Sequence, residues 1–299
     1  MLRATPAMII SALTGSVSAI TDELTASDAL LRSPLALSRR IGFVQLHGGS
    51  GASATAGYLA SMLAHRRTGM VLGVNASPGE TDMLWHAGLT RSRGAGGNDQ
   101  ERRRHPSTAA DARAGLPATG SGLISLDLTH DHLAASAGTW FEQVTPIARF
   151  YDLVITDWGV RHQQVDLRQV ARASHVVCLV ARADRYPAEE ATALLPALSG
   201  VEDQPGVVLA LVDVGRTAEG TPQVLRDQLQ VPVLSIPYEK LRAASRPVAS
   251  RRFPAATRLA HTRLCAALMA EAVKPAYRRL VIPAPDGSHS ATAVGDERS

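Results

Sequence analysis

The sequence predicts an α/β fold in three layers, with a mostly parallel central sheet flanked by helices on both faces. Three observations predict it. Short, continuous apolar runs recur at 41–46, 70–74, 123–126, 153–156, 176–180, 207–212 and 233–236. Segments of helical period lie between most of them, at 55–65, 133–150, 188–198 and 222–230. Uninterrupted apolar strands alternating with helices belong to a parallel sheet buried on both faces. Finally, the first apolar run stops at a glycine-rich turn, and a helix-like segment follows with Ala56, Leu59, Ala60 and Leu63 on one face.

The chain of 299 residues is 45% hydrophobic, enough for one large core or two modest ones. The order of patterns divides it into an N-terminal helical arm over 1–38, a main domain over 39–274 with a flexible arginine-rich insertion at 91–120, and a tail over 275–299, mostly disordered. Cys178 and Cys265 sit in apolar runs and read as buried free thiols, which suits a reducing cytosol. No apolar run reaches the roughly 18 residues of a membrane span. The expected location is cytoplasmic, with peripheral membrane contact as a variant. A formal charge of +4 permits nucleic acid or anionic lipid as a partner and argues for neither.

In the arm, Thr21-Asp22-Glu23-Leu24 and Ser27-Asp28-Ala29-Leu30-Leu31 read as capped helix starts with acidic first turns, and Pro34 ends the pattern. Packing over a domain edge is its simplest role. The insertion carries Arg91, Arg93, Arg102, Arg103, Arg104 and Arg113 without apolar period. It reads as a solvated surface loop, with contact to DNA, RNA or lipid headgroups as the alternative. Absence of interleaved aromatics removes base stacking. The last helix covers 255–273, where Leu264 stacks on Leu268 and Cys265 on Met269, until Pro275 stops it. Beyond lies a basic-apolar patch, Tyr277-Arg278-Arg279-Leu280-Val281-Ile282. It either packs back on the domain or touches a membrane, weakly at that length.

Strand, glycine turn and helix in that order form the setting of a P-loop, whose backbone N–H groups converge on a phosphate at a helix N-terminus. Laid on the pattern K-G-G-x-G-K-[ST], the chain reads His47-Gly48-Gly49-Ser50-Gly51-Ala52-Ser53. The glycines and the final hydroxyl are present, but both lysines are replaced, by His47 and Ala52. Gly48, Gly49, Ser50, Gly51, Ala52, Ser53 and Ala54 are the candidate nucleotide-binding residues. The run Leu153-Val154-Ile155-Thr156 ends in Asp157. An aspartate there, with the loop hydroxyl of Ser53, is the candidate magnesium pair. The histidines are scattered, and no Cys/His spacing suggests zinc.

Downstream the chain resembles the ParA/MinD family of deviant Walker P-loop ATPases. The second strand ends in Asn75-Ala76-Ser77-Pro78, where the family has D-x-D-P. Ser235-Ile236-Pro237-Tyr238-Glu239, with Ala244 and Pro247-Val248 after it, resembles the family's I-P-Y-D segment and its A…P-V. The composition and Pro254-Ala255-Ala256-Thr257-Arg258 resemble actinobacterial members found beside type VII secretion genes. The resemblance covers about residues 41 to 273. It implies ATP or ADP with magnesium, a nucleotide sandwiched in a homodimer or held against a partner protein, and base contacts from Asp213 and Pro237. It also implies that the groups gripping phosphate, reaching across the dimer and orienting the attacking water fall at Ala52, His47 and Asn75.

None of those three keeps the family residue. Phosphoryl transfer is almost entirely positioning and electrostatics, and loss of one preorganised donor typically costs about 10²–10³ in rate. An imidazole, with an ordinary pKa of about 6.5, replaces an ammonium poorly. The expectation is a degenerate, hydrolysis-deficient P-loop protein acting as a regulatory, positioning or secretion-associated partner. It holds nucleotide through backbone N–H groups or holds none. The alternatives are an active ATPase completed by a partner or by a basic residue from elsewhere in the chain, and a DNA- or membrane-associated positioning factor.

Overall fold

The computed structural model describes residues 6–274 apart from 90–96, 131–132, 162–163, 200–204, 219 and 244–246. After an N-terminal helix α1 (Pro6–Arg32), the order is β1 (Arg39–Gln45), α2 (Ala52–Arg66), β2 (Val71–Asn75), α3 (Met83–His86), α4 (Gly97–Arg104) and α5 (Ala109–Ala112). Then follow β3 (Ile124–Asp127), α6 (Ala137–Ala148), β4 (Leu153–Val160), α7 (Gln164–Ala173) and β5 (Val176–Arg182). The remainder is α8 (Arg185–Ala193), α9 (Leu195–Ser199), β6 (Gly206–Val212), α10 (Thr221–Gln228), β7 (Val233–Ile236), two 3₁₀ turns and α11 (Ala255–Val273).

Seven strands form one sheet in the order β3-β2-β4-β1-β5-β6-β7, every pair parallel. The strands are mostly apolar because both faces are covered, with polar residues such as Asn75, Asp127 and Asp157 toward their C-terminal ends. Side chains alternate between faces, so in β1 Val44 joins one core while Ile41 and Phe43 join the other. The first core is capped by Trp140 and Ile147 of α6, Leu167 and Val170 of α7, and Ala188 of α8. The second is capped by Leu59 and Leu63 of α2, Leu264 and Leu268 of α11, and Leu31 of α1. β1 lies between β4 and β5 in mid-sheet, so the chain crosses to opposite sides after it. In open α/β sheets the crevice beyond the strand ends at such a reversal is where ligands bind.

Several elements differ from their sequence reading. The arm is one continuous helix rather than two starts at 21 and 27, because α1 packs along α11, where Glu23 takes both Nε and an Nη of Arg263 at 2.5 and 2.6 Å. The segment 97–120, expected as an irregular insertion, carries α4 and α5. Arg103 is buried and donates to the Ala114 carbonyl, Thr108 caps α5 through a reciprocal box with Asp111, and Arg102 pairs with Asp111. Arg104 reaches Glu101 and Glu142. Of these arginines Arg103 is turned inward, while Arg102 and Arg104 stay about half exposed in surface ion pairs. Arg91, Arg93, the Tyr277–Ile282 patch (277–282) and the tail lie outside the described residues. The helix expected over 133–150 begins only after its cap Ser136, which accepts from Thr139 N. That over 188–198 breaks into α8 and α9.

Candidate phosphate-binding site

The turn after β1 has the geometry of an anion cradle. Gly49 and Gly51 have φ of +79° and +83°, the left-handed region where a Cβ is disfavoured. Gly51 is the residue preceding α2, and its carbonyl accepts from Thr55 N at 3.0 Å. The first N–H groups of α2 lack helical partners, and the helix dipole adds partial positive charge at that end. A cavity of about 540 Å³ opens over them, lined by Gly48, Gly49, Gly51, Ala52, Ser53 and Ala54 of the turn. Ser77, Pro78 and Gly79 after β2, and Asp213 and Tyr238 after β6 and β7, close other sides.

Not every expected residue faces this space. The Ser50 side chain turns back and donates to the His47 carbonyl at 2.9 Å. Pro237 stays out of the lining, which its neighbour Tyr238 supplies. His47 likewise points elsewhere: its Nε2 meets Glu190 of α8 at 2.7 Å. Ala52 is 1% exposed, so no side-chain charge enters from the lysine position.

Below the turn sits a polar network between strand ends. Asp157 on β4 is fully buried. Its Oδ1 accepts from Gly159 N at 3.0 Å, while Oδ2 has no hydrogen-bond partner among the described residues. Burial pushes its carboxyl up to about 6. The Ser53 hydroxyl and Gly159 N–H oppose that shift, and the nearby Asp82 adds to it. Gly159 has φ of +66°, and a Cβ there would collide with Ser77, so this local turn requires glycine. A carboxylate oxygen without partner beside a hydroxyl suits a hard divalent cation, which prefers oxygen donors. The pair Ser53 and Asp157 therefore fits magnesium.

Asn75, on the adjacent strand, is also fully buried. Its amide nitrogen donates to Asp82 Oδ2 at 3.2 Å and Asp127 Oδ1 at 3.0 Å, and its Oδ1 accepts from Ser77 N at 3.2 Å. Both amide hydrogens and the oxygen are thus engaged away from the cavity. Asp82 in turn caps α3, accepting from Trp85 N at 2.8 Å.

Sequence reasoning missed the basic wall. Lys240 and Arg242, in the 3₁₀ turn Lys240–Ala243, line the same cavity as the glycine turn. Arg242 packs beside Tyr58 of α2, His86 of α3 and His261 of α11. Burial, with a smaller contribution from Arg242, pushes His86 down to about 4 and His261 down to about 3. No local pattern announces this cluster, because its members are far apart in the chain.

No protein-family model matches the chain, and no curated protein matches it either. Solved structures do. A ParA family ATPase from Chlorobium tepidum TLS is 18% identical, with a TM-score of 0.61 over 76% of this chain and 98% of its own. MinD in the MinC:MinD cell division complex of Aquifex aeolicus is 18% identical, with a TM-score of 0.59 over 81% and 99%. The septum site-determining protein MinD of Pyrococcus horikoshii OT3, complexed with Mg-ADP, is 16% identical, with a TM-score of 0.58 over 76% and 94%. The chain has the ParA/MinD-like P-loop fold.

Proposed function

We propose that this protein binds a nucleoside di- or triphosphate with magnesium at the turn 48–54, turns it over slowly or not at all, and acts through a partner protein or a second copy of itself. Backbone N–H groups of the turn and of the start of α2 hold phosphate, Ser53 and Asp157 hold the cation, and Asp213 and Tyr238 bound the far end. When bound, magnesium supplies charge neutralisation for the phosphate oxygens. The fold of the MinD and ParA neighbours, two of them solved with a partner or with Mg-ADP, supports the nucleotide and partner parts of this reading.

The observation that carries the hydrolysis-deficient part is Asn75. The position expected to orient a water holds an amide whose donors and acceptor are all engaged within the protein. No carboxylate of the expected kind faces the cavity from that strand, and no lysine enters from Ala52.

A second reading, an ATPase completed by a basic residue other than the loop lysine, is favoured by one observation: Lys240 and Arg242 line the cavity. Arg102, Arg103 and Arg104 of the arginine-rich insertion do not line that cavity. Steady-state ATP turnover by the purified chain, alone and with candidate partners, separates the two. The proposal expects nucleotide binding with turnover at background level. Turnover that disappears in Asp157→Ala would overturn it in favour of the second reading.

A further inference from the structure

We propose that Arg242 meets the phosphate chain of the bound nucleotide, supplying from the 3₁₀ turn after β7 the positive charge that the glycine turn lacks. The inference rests on the nucleotide reading above and adds a residue to it.

The guanidinium has an unusual environment for a cation. Its Nη2 lies 3.3 Å from His261 Nε2, while Nε and Nη1 are buried with no hydrogen-bond partner among the described residues. Neither nearby carboxylate hydrogen-bonds to it. Glu239 accepts from Leu241 N, and Asp213 accepts from Gly215 N and Thr217 N. The two carboxylates act on Arg242 only through space. His86 Nδ1, on the same cavity wall, is also buried without a hydrogen-bond partner among the described residues. A buried guanidinium with two of its nitrogens unpartnered and no carboxylate hydrogen-bonded to it is strongly disfavoured unless something completes it.

An anion is the group that would complete it, and the cavity admits one. Arg242 lines the same 540 Å³ space as Gly48, Gly51 and Ser53, so one extended ligand can reach the turn and Arg242 together. Arginine's planar fork matches phosphate oxygens in a way the compact ammonium of lysine does not. A polyphosphate is therefore the fitting ligand class, with the turn meeting one phosphoryl group and Arg242 another. Lys240 shares the wall but is exposed, where solvent screening weakens its contribution.

The test compares full-length wild type with Arg242→Gln and Arg242→Lys, titrated with ATP, ADP, AMP and inorganic pyrophosphate in magnesium. A charge-assisted contact of this kind predicts that Arg242→Gln weakens ATP and ADP about 10- to 100-fold. AMP should change less than threefold, and Arg242→Lys should fall between. The apo melting temperature of Arg242→Gln should hold or rise, since an unpaired buried charge is gone. Wild-type affinity for ATP in Arg242→Gln would overturn the inference. So would an equal loss for ATP and AMP with a lowered melting temperature, the signature of a merely structural arginine. Should wild type bind pyrophosphate through Arg242 but no nucleotide, the anion role survives and the nucleotide reading fails. If it binds neither, both fall.

Discussion

The turn over residues 47–53 and the strand ends beneath it are built on different principles. The turn is backbone: two glycines at positive φ and a helix start fix its shape, and its side chains are small or turned away. The strand ends are side-chain chemistry: Asn75, Asp82, Asp127 and Asp157 fix one another through hydrogen bonds and charge. A backbone cradle keeps its form without a lysine at position 52. A network of buried carboxylates around one amide resists change at any single member, because each group sets the protonation and orientation of the next.

The largest effect should therefore come from Asn75→Asp, which places a carboxyl where the amide now stands. It removes the only donors that Asp82 and Asp127 receive from this side chain and adds a third carboxylate near Asp157. An uncompensated buried charge predicts a loss of about 3–5 kcal/mol at pH 7.5, which shrinks as pH falls toward the ordinary aspartate value near 3.9 and the new carboxyl takes up a proton. Urea unfolding at the two pH values measures it. A variant as stable as wild type would show that the strand ends are no more coupled than the turn.

Asp157 sharpens the same contrast through pH. Its folded carboxyl titrates at about 6 against an ordinary aspartate value near 3.9 in the unfolded chain. The folded state holds the proton longer, so this group's contribution to stability falls as pH rises from about 4 to about 6 and stays low above. Two pKa units amount to about 3 kcal/mol. Asp82 and Arg161 also act on Asp157, and the neutral histidines 86 and 261 lower stability at acid pH by the opposite linkage. The difference between wild type and Asp157→Asn cancels those shared terms. In the apo protein Asp157→Asn should be more stable by up to about 3 kcal/mol at pH 7.5, with the gain vanishing near pH 4. Saturating Mg-nucleotide should reverse the order, since the cation then needs the carboxylate. Equal stabilities across this range would mean that Oδ2 is compensated in solution.

The sheet was legible because buried parallel strands write themselves as apolar runs, and all the strands fall on the runs the sequence shows. β4 extends to Val160, past the last apolar residue expected, because Asp157 and Trp158 are themselves fully covered. Helix α7 left a readable trace in Leu167, Val170 and Ala171, spaced three and four apart, that the strand alternation overshadowed. α4 left none, since its stability comes from Arg103 reaching Ala114 and from ion pairs rather than an apolar stripe. At the site, the turn was readable from glycine spacing, whereas Asn75 looked like a lost acid. Its meaning depends on Asp127, 52 positions away, being the hydrogen-bond partner across the sheet. Arg242 was invisible for the same reason: it is defined by Tyr58, His86 and His261, which only the tertiary fold gathers.

The smallest expected effects separate positions within the turn itself. At Gly51 an added Cβ would sit at φ +83° and 3.2 Å from Val212 Cγ1, so Gly51→Ala combines left-handed strain with crowding against β6. That predicts a loss of about 1–2 kcal/mol. A Cβ at Gly48 meets nothing within 4 Å, and that backbone is outside the positive-φ region, so Gly48→Ala should stay within about 0.5 kcal/mol. Nucleotide affinity should follow the same split, because tilting the residue before α2 re-aims the N–H groups that the cradle consists of, while a methyl group at Gly48 leaves them in place. Thermal unfolding and ADP titration of the two variants side by side measure both. If Gly48→Ala proves the more harmful, the phosphate contacts lie on the outer rim of the turn rather than at the start of α2. The division between a backbone cradle and a side-chain network would then have to be redrawn around that rim.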